Sequence, residues 1–505
     1  MIYYQLSDYL KLLEDSSLLC SYELSDKTKT VRGVSFDSRD IPEDCIFIAK
    51  GLHFKAEYLD IAFEKGAACY VADHVIEGRG DRIIVSDVRA AMSVLARFFY
   101  NDPQTELQTF AITGTKGKTT SSAFLRRILD FDAKDHGKPG CAISCSVDIW
   151  DGKTWTEPIN TTPEAPDIWK YMANAAESHA ERFVLEVSSQ ALKYGRVSGM
   201  TFDFACFTNV GFDHIGPAEH TDFEDYLNSK LTIFDHCRHA CVNIDDAYAG
   251  RMLEKINSRY PVVTFGTSEK AELRMTGVKR LEDGIHFTIT TPQESCEMLI
   301  TMPGLFNASN ALYAIAMAYS AGIPLDTCRR ALEEARVKGR MLSYPSKDGQ
   351  VTVIIDYAHN GMSFETLFGS LELEYPGAAL VAIYGWHGNK GQNRRHDIGV
   401  VTGARADFTI ITEKDSADEA FEDIAADAAQ WIASVGGKYA IVKDREDALR
   451  YAFGLDFGER RKIIIFAGRG EEDWQKWGNT YYKYQSDPEI TEKLLSEYNS
   501  THTEK

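Results

Sequence analysis

The sequence predicts an α/β chain of several domains built mainly on parallel sheet, and three observations carry that expectation. From residue 107 to about 337, apolar runs at 183–187, 204–208, 240–244 and 262–265 alternate with stretches of helical periodicity. That is the pattern of strands covered by helices on both faces. The same rhythm returns beyond residue 339, with strands expected at 351–355, 379–383, 408–412 and 462–466. Finally, 505 residues exceed what one hydrophobic core serves, and at ~150 residues per domain the length points to three.

Taken in order, residues 1–103 hold a short helix and strand-like runs at 44–49 and 68–72, a small α/β module. Residues 104–338 form the central domain. Its stretch 273–303 alternates about Asp283-Gly284, a hairpin signal, and the helix-rich run 308–335 closes it. Residues 339–505 read as a third, smaller α/β domain with helices at 363–373 and 417–433, where apolar residues recur every three or four positions.

A net charge of −20 disfavours nucleic acid or an anionic membrane as the main partner, since phosphate surfaces need clustered Lys and Arg. The aromatic, basic run 474–484 is accordingly read as core and contact surface rather than a base-stacking platform. The first 16 residues carry Asp8, Lys11, Glu14 and Asp15 and so lack the apolar core of a signal peptide. No run of about 18 apolar residues marks a membrane span. Ten cysteines without the spacing of a disulfide framework fit a reducing cytoplasm. Residues 236–241 (His-Cys-Arg-His-Ala-Cys) lack a second ligand pair at zinc spacing and are read as a helix end entering a strand.

Residues 111–122 read Ala-Ile-Thr-Gly-Thr-Lys-Gly-Lys-Thr-Thr-Ser-Ser, between a strand-like run and a helical stretch. This is a phosphate loop with a shortened glycine spacing. Gly114 and Gly117 let backbone N–H groups of the loop, with Thr115, Lys116 and Thr120, approach phosphate oxygens. Lys118 brings a point charge to the β- and γ-phosphates, and the Thr119 hydroxyl suits Mg²⁺. ATP and Mg²⁺ are therefore expected.

Two strand ends fall beside this loop. Glu186 closes the run 183–187, and Asp213-His214 follow the run 204–208, at the edge where a parallel sheet places metal ligands. On a helix expected at 223–234, Phe223, Tyr226, Leu227, Leu231 and Phe234 define an apolar face with Lys230 in its middle. A lysine there must snorkel, pair or lose its charge.

Together with Asp37-Ser38-Arg39, Asn160-Thr161-Thr162-Pro163, Glu186-Val187-Ser188-Ser189, Asn307 with Asn310, Gly339-Arg340-Met341, Asp356-Tyr357-Ala358-His359 and Gly468-Arg469-Gly470-Glu471-Glu472, these motifs make the chain resemble the Mur ligases nearly end to end. Within them it resembles the UDP-N-acetylmuramoyl-tripeptide synthetases, which add the third amino acid of the peptidoglycan stem peptide. The resemblance implies a three-domain Mur ligase architecture, with a central P-loop domain on a mostly parallel sheet and a C-terminal Rossmann-like domain, and an ATP-dependent ligation. The γ-phosphoryl group passes to the peptide carboxylate, and an amine attacks the resulting acyl phosphate. It further implies carbamylation of Lys230, a Mg²⁺ site formed by Thr119, Glu186, His214 and that carbamate, and catalytic roles for Lys118, Lys230 and His214. Asn310 and Arg340 match nucleotide contacts, and Ser38, Thr161, Thr162, Ser188 and Arg196 match contacts to the UDP-sugar dipeptide. No oligomer is implied.

The added amino acid is read from residues 388–417. Enzymes of the family that add meso-diaminopimelate carry Asp-Asn-Pro-Arg where this chain has Lys414, Asp415, Ser416 and Ala417, and an arginine where it has Lys390. Ala417 cannot grip a distal carboxylate. Glu413, Asp415, Asp418 and Glu419 would suit a cationic side chain or simply a solvated helix N-terminus. L-lysine is favoured, with ornithine or another diamine as the alternative. Gly468 and Glu472 match positions at the incoming amino acid, and Glu471 replaces the family's histidine. A related amide ligase acting on a different carboxylate, such as a folylpolyglutamate, is the competing reading.

Overall fold

The computed structural model of the chain describes residues 3–51, 54–78, 80–216, 219–388, 392–478 and 480–502. It divides into two compact units, residues 1–275, 289–296 and 311–331 in the first and 276–288, 297–310 and 332–505 in the second.

The first unit opens with a five-stranded sheet, β1 (Leu19–Glu23), β2 (Gly33–Ser35), β3 (Cys45–Ile48), β4 (Cys69–Ala72) and β5 (Arg82–Val85), in the order β1-β5-β4-β3-β2. Only β1 runs antiparallel to its neighbour. The larger sheet follows with β6 (Gln108–Thr113), β7 (Ala142–Ser144), β8 (Ile149–Trp150), β9 (Trp155–Thr156), β10 (Arg182–Glu186), β11 (Phe202–Phe207), β12 (Cys237–Asn243) and β13 (Val262–Gly266). Their order is β13-β12-β11-β6-β10-β7-β8-β9, parallel from β13 to β7. β6 therefore lies centrally, between β10 and β11, and the three C-terminal strand ends meet at one edge, where open α/β sheets bind ligands. The two sheets share a core, with Leu95 and Met92 of the helix Val88–Phe99 in one apolar cluster with Trp169 and Phe183.

The expected hairpin is present. β14 (Leu273–Leu281) and β15 (Gly284–Thr290) are joined by two residues, and β16 (Ser295–Ile300) follows. Gly284 has φ +155°, and a Cβ there would lie 2.4 Å from the Ile300 carbonyl oxygen, so the turn needs glycine.

In the second unit, β17 (Leu342–Pro345), β18 (Val351–Asp356), β19 (Ala379–Tyr384), β20 (Phe408–Ile411), β21 (Tyr439–Ile441) and β22 (Lys462–Ala467) form a sheet in the order β17-β18-β22-β19-β20-β21, parallel except for β17. The aromatic run forms a two-stranded antiparallel sheet, β23 (Trp474–Trp477) and β24 (Thr480–Lys483). Two helices differ from their expected bounds. The helix expected at 417–433 spans Phe421–Ser434, because Ala417 sits in the left-handed region at φ +50°. The helix expected at 223–234 is α-helical over Phe223–Leu231 and tightens into a 3₁₀ turn, Thr232–Asp235, a common way of satisfying terminal carbonyls. Residues 237–241 lie in β12, and among the described residues no group of three or more His, Cys, Asp or Glu is placed to hold a metal. Among those residues, too, no helix is long and apolar enough to cross a membrane.

One buried ion pair anchors the second unit. Arg445 grips Asp487 through Nε (2.9 Å) and Nη2 (2.6 Å), with both side chains at most 1% exposed. Removing the acid strands a buried guanidinium, so Asp487→Ala should cost about 3–5 kcal/mol in denaturant unfolding of this unit. A loss below about 1 kcal/mol would contradict this account.

Candidate active site

The phosphate loop, residues 114–117, links β6 to the helix Lys118–Asp135, whose N-cap is Gly117 at φ +83°. The segment after β11 braces it. Thr115 N–H donates to the Asn209 carbonyl (2.9 Å), Lys116 N–H to Asn209 Oδ1 (2.9 Å), and the Thr208 hydroxyl to the Lys116 carbonyl (2.9 Å). Lys118 Nζ curls back onto the Gly114 carbonyl at 3.0 Å and stands 4.0 Å from Glu186 Oε1. Gly114 has φ +150°, and a Cβ there would fall 1.9 Å from Thr208 Oγ1, so the cradle has room for backbone alone.

Glu186, at the end of β10, is 1% exposed. Its carboxylate accepts from the Thr119 hydroxyl (3.1 and 3.2 Å) and from the N–H and hydroxyl of Ser146 (2.9 and 3.0 Å). A hydroxyl and a carboxylate meeting beside a phosphate loop form the oxygen donor set that Mg²⁺ prefers. Ser146 carries no sequence signal, since it meets Glu186 only because β7, which it follows, pairs with β10.

Lys230 lies on the buried face as expected, 1% exposed, 4.7 Å from the Tyr226 ring centroid, with Nζ donating to the Gly114 carbonyl at 2.7 Å. Burial, helped by the Lys118 charge, holds its pKa well below the usual lysine range against the opposing pull of Asp213 and Glu186. A neutral amine at this position is a nucleophile, and the Thr119 hydroxyl and Glu186 carboxylate beside it are oxygen donors that suit a cation.

His214 has φ +56° and pairs through Nδ1 with Glu219 (2.8 Å), while Asp213 meets Lys116 Nζ at 3.3 Å. His214, Lys118 and Lys230 line a cavity of about 130 Å³ together with Thr161, Ser188 and Arg196. The structure thus brings together six residues that the sequence placed in three different roles. Thr162 does not line it. Fully buried, its hydroxyl donates to the Glu186 carbonyl (2.8 Å) and accepts from Ser188 N–H (2.9 Å), tying two loops to β10. Arg196 donates to the Thr162 carbonyl (2.9 Å) and pairs with Glu164 (3.1 Å), which also meets Lys50 (3.0 Å). Ser38 is not among the residues lining the cavity; it lies between β2 and β3, where its carbonyl accepts from Lys65 (3.1 Å) at the end of the helix Glu57–Glu64.

In the second unit, Asn310 donates to Asn307 Oδ1 (2.8 Å), and the Arg340 guanidinium lies 5.2 Å from the Tyr357 ring centroid. The acids near residue 415 are neither a solvated helix start nor an open cation site. Asp415 is 3% exposed and accepts from His387 Nδ1 and from Lys476 N–H, each at 3.1 Å. Burial raises its pKa, but the His387 bond and the Lys414 charge outweigh it and hold the carboxyl below its ordinary value. Glu413 accepts from the Ser416 hydroxyl (2.7 Å), Glu419 pairs with Arg395 (2.7 Å), and Asp418 alone of the four is exposed. Ala417 bridges to Trp477, and its carbonyl accepts from Gly478 N–H (2.9 Å). Lys414 is buried with Nζ on the Gly468 carbonyl. Lys390 lies outside the described residues. Glu471, in place of the family's histidine, accepts from Gly339 N–H at 3.0 Å.

Comparison with known proteins decides what this arrangement belongs to. The Mur ligase middle domain matches residues 112–318 and the Mur ligase, glutamate ligase domain matches residues 339–470. An Enterococcus faecalis protein named UDP-N-acetylmuramoyl-L-alanyl-D-glutamate--L-lysine ligase is 32% identical over 477 residues, 93% of each chain. The chain belongs to the Mur ligase family. Mur ligases are ATP-dependent and form amide bonds. A UDP-N-acetylmuramyl-tripeptide synthetase of Lactococcus lactis is 36% identical over 464 residues, 92% of each chain. Among solved structures, a UDP-N-acetylmuramoyl-L-alanyl-D-glutamate--2,6-diaminopimelate ligase superposes on this Mur ligase with a TM-score of 0.66 at 22% identity, covering 98% of this chain and all of the other. A Mycobacterium tuberculosis folylpolyglutamate synthase reaches 0.60 at 15% identity over 74% of this chain and 91% of its own. Both of these show the fold alone.

Proposed function

We propose that this Mur ligase joins L-lysine to UDP-N-acetylmuramoyl-L-alanyl-D-glutamate in peptidoglycan synthesis, consuming ATP. The observation that carries the amino-acid choice is Ala417, which offers a methyl group where diaminopimelate-adding enzymes present an arginine. The names of the Enterococcus and Lactococcus relatives support the same substrate class. We further divide the chain into a UDP-substrate domain (1–103), an ATP domain (104–338) and an amino-acid domain (339–505), acting in the cytoplasm, where its ten free cysteines would stay reduced.

In this reading the loop from Gly114 to Thr120 cradles the phosphates and Lys118 supports the transferring group, with Asn310 and Arg340 on the nucleotide. Thr161, Ser188 and Arg196 hold the dipeptide end of the UDP substrate, Thr162 fixes that loop, and Ser38 serves the uridine end. The neutral Nζ of Lys230 would add to the carbon of CO₂ and release one proton, leaving a carbamate whose oxygens, with Thr119, Glu186 and His214, would hold Mg²⁺. When bound, Mg²⁺ would neutralise charge developing at the γ-phosphate. At the other end, Gly468, Asp415, Ala417 and Lys390 shape the amino-acid site. Glu472 receives the incoming amine: among the described residues its buried Oε2 has no hydrogen-bond partner, an acceptor in want of a donor.

Phosphate release with the UDP dipeptide, ATP and a panel of amino acids tests this. Turnover with L-lysine should exceed that with meso-diaminopimelate by about 100-fold in kcat/KM. Faster turnover with diaminopimelate would overturn the assignment, and faster turnover with ornithine would move it to that diamine.

A further inference from the structure

We infer that Tyr357 is a positioning residue for the amino-acid step: its phenol fixes one oxygen of Glu472 so that the other faces the incoming amine. This rests on the reading of Glu472 just given and adds the group that holds it in place.

Tyr357 follows β18 and is itself tightly placed. The preceding Asp356 carboxylate accepts from Met341 N–H (3.1 Å) and Ala358 N–H (2.8 Å), and the Tyr357 carbonyl meets His359 Nδ1 at 2.9 Å. Its hydroxyl donates to Glu472 Oε1. Two cations attend the ring, the Arg340 guanidinium and the Lys414 ammonium, each 5.2 Å from its centroid. Cations over the ring withdraw electron density and strengthen the phenol as a donor. The Glu472 main chain is held independently, since its N–H donates to the Arg469 carbonyl (3.2 Å) and its own carbonyl accepts from Arg469 Nη2 (3.2 Å). With backbone and Oε1 both committed, Oε2 is the part of the side chain left for a ligand.

Burial raises the Glu472 carboxyl above its ordinary range, opposed by Lys414, the Tyr357 bond and Arg469, while Asp415 pushes it further up. An acid so placed must be ionised to receive an ammonium group, so activity falls as pH drops through its raised pKa. Removing the phenol removes a bond to the charged form and should move that limb to higher pH.

The test compares Tyr357→Phe and Glu472→Gln in the full-length enzyme. Tyr357→Phe keeps the ring beside Arg340 and Lys414 and loses only the hydroxyl. We expect it to raise KM for the amino acid about ten-fold, leave KM for ATP within about two-fold, and shift the acid limb of kcat/KM upward, with only a modest drop in the thermal midpoint. An amino-acid KM within two-fold of wild type, or an equal change in KM for ATP, would overturn the inference. Glu472→Gln separates the two readings. If it impairs the amino-acid step while Tyr357→Phe does not, the positioning role fails alone; if neither variant moves that KM, the assignment of Glu472 fails as well.

Discussion

Lys230→Arg should lower kcat by about 10³-fold or more, some 4 kcal/mol of transition-state stabilisation, while the protein stays folded. Arginine keeps roughly the length of the side chain but does not deprotonate in proteins, so it cannot add CO₂. It would place a permanent cation where the proposed chemistry needs a carboxylate, next to Thr119 and Glu186. A purely structural lysine gives the opposite pattern. In that case Lys230→Met, which keeps the stem and the Tyr226 packing, would preserve activity. We expect Lys230→Met to be as inactive as Lys230→Arg yet at least as stable as wild type at neutral pH in CO₂-free buffer. The sign follows from burial, which holds the folded-state pKa below the unfolded one. Between those two values the unfolded chain binds the extra proton, and the buried amine carries a penalty that methionine lacks. Incubating the wild-type enzyme with ¹³C-bicarbonate should give a carbamate carbon resonance that is absent from both variants. A wild-type spectrum without that resonance, or a Lys230→Arg enzyme within ten-fold of normal kcat, would sink the proposal.

The parts of this site that could be read in the sequence are those whose signal is local. The phosphate-loop motif, residues 111–122, is contiguous. Glu186 announces itself as an acid ending an apolar run, and Lys230 as a charge interrupting an apolar helical face, and the structure buries both at 1% exposure. The parts that could not be read depend on partners distant in sequence. Ser146 gives Glu186 two hydrogen bonds from 40 residues away. The charges of Glu413, Asp415 and Glu419 suggest a cation site only until Ser416, His387 and Arg395 are seen to occupy them. Glu471, in place of the family's histidine, finds its partner 132 residues upstream, where the Gly339 N–H meets its carboxylate. The fold follows the same division. Strand periodicity survives in the sequence, whereas the late start of the helix Phe421–Ser434 depends on the left-handed backbone at Ala417, which no side-chain pattern encodes.

Gly114→Ala should abolish ATP turnover through geometry alone. The new methyl carbon would stand 1.9 Å from Thr208 Oγ1, 3.1 Å from the Asn209 carbonyl oxygen and 3.2 Å from the Asn209 nitrogen. The first contact is impossible and the other two are with backbone, which cannot rotate away as a side chain can. The φ of +150° adds strain that L-residues avoid, on the order of 1–3 kcal/mol. Relief requires moving Gly114, and its carbonyl holds both Lys118 Nζ at 3.0 Å and Lys230 Nζ at 2.7 Å. A shift there therefore misplaces the phosphate cradle and two amines together, and a misplacement of about 1 Å is enough to cost two orders of magnitude in rate. We expect kcat/KM for ATP to fall at least about 10³-fold, with a drop in stability of a few kcal/mol. Gly137→Ala is the control, at φ +66° with open space around the new carbon, and should lose about 1 kcal/mol and no activity. Adding Thr208→Ala to Gly114→Ala removes the 1.9 Å clash but neither the backbone strain nor the Asn209 contacts, so rescue should be partial. Full recovery in the double variant would show that side-chain crowding, not the backbone cradle, makes this glycine necessary, and near-normal turnover by Gly114→Ala alone would refute the loop geometry outright.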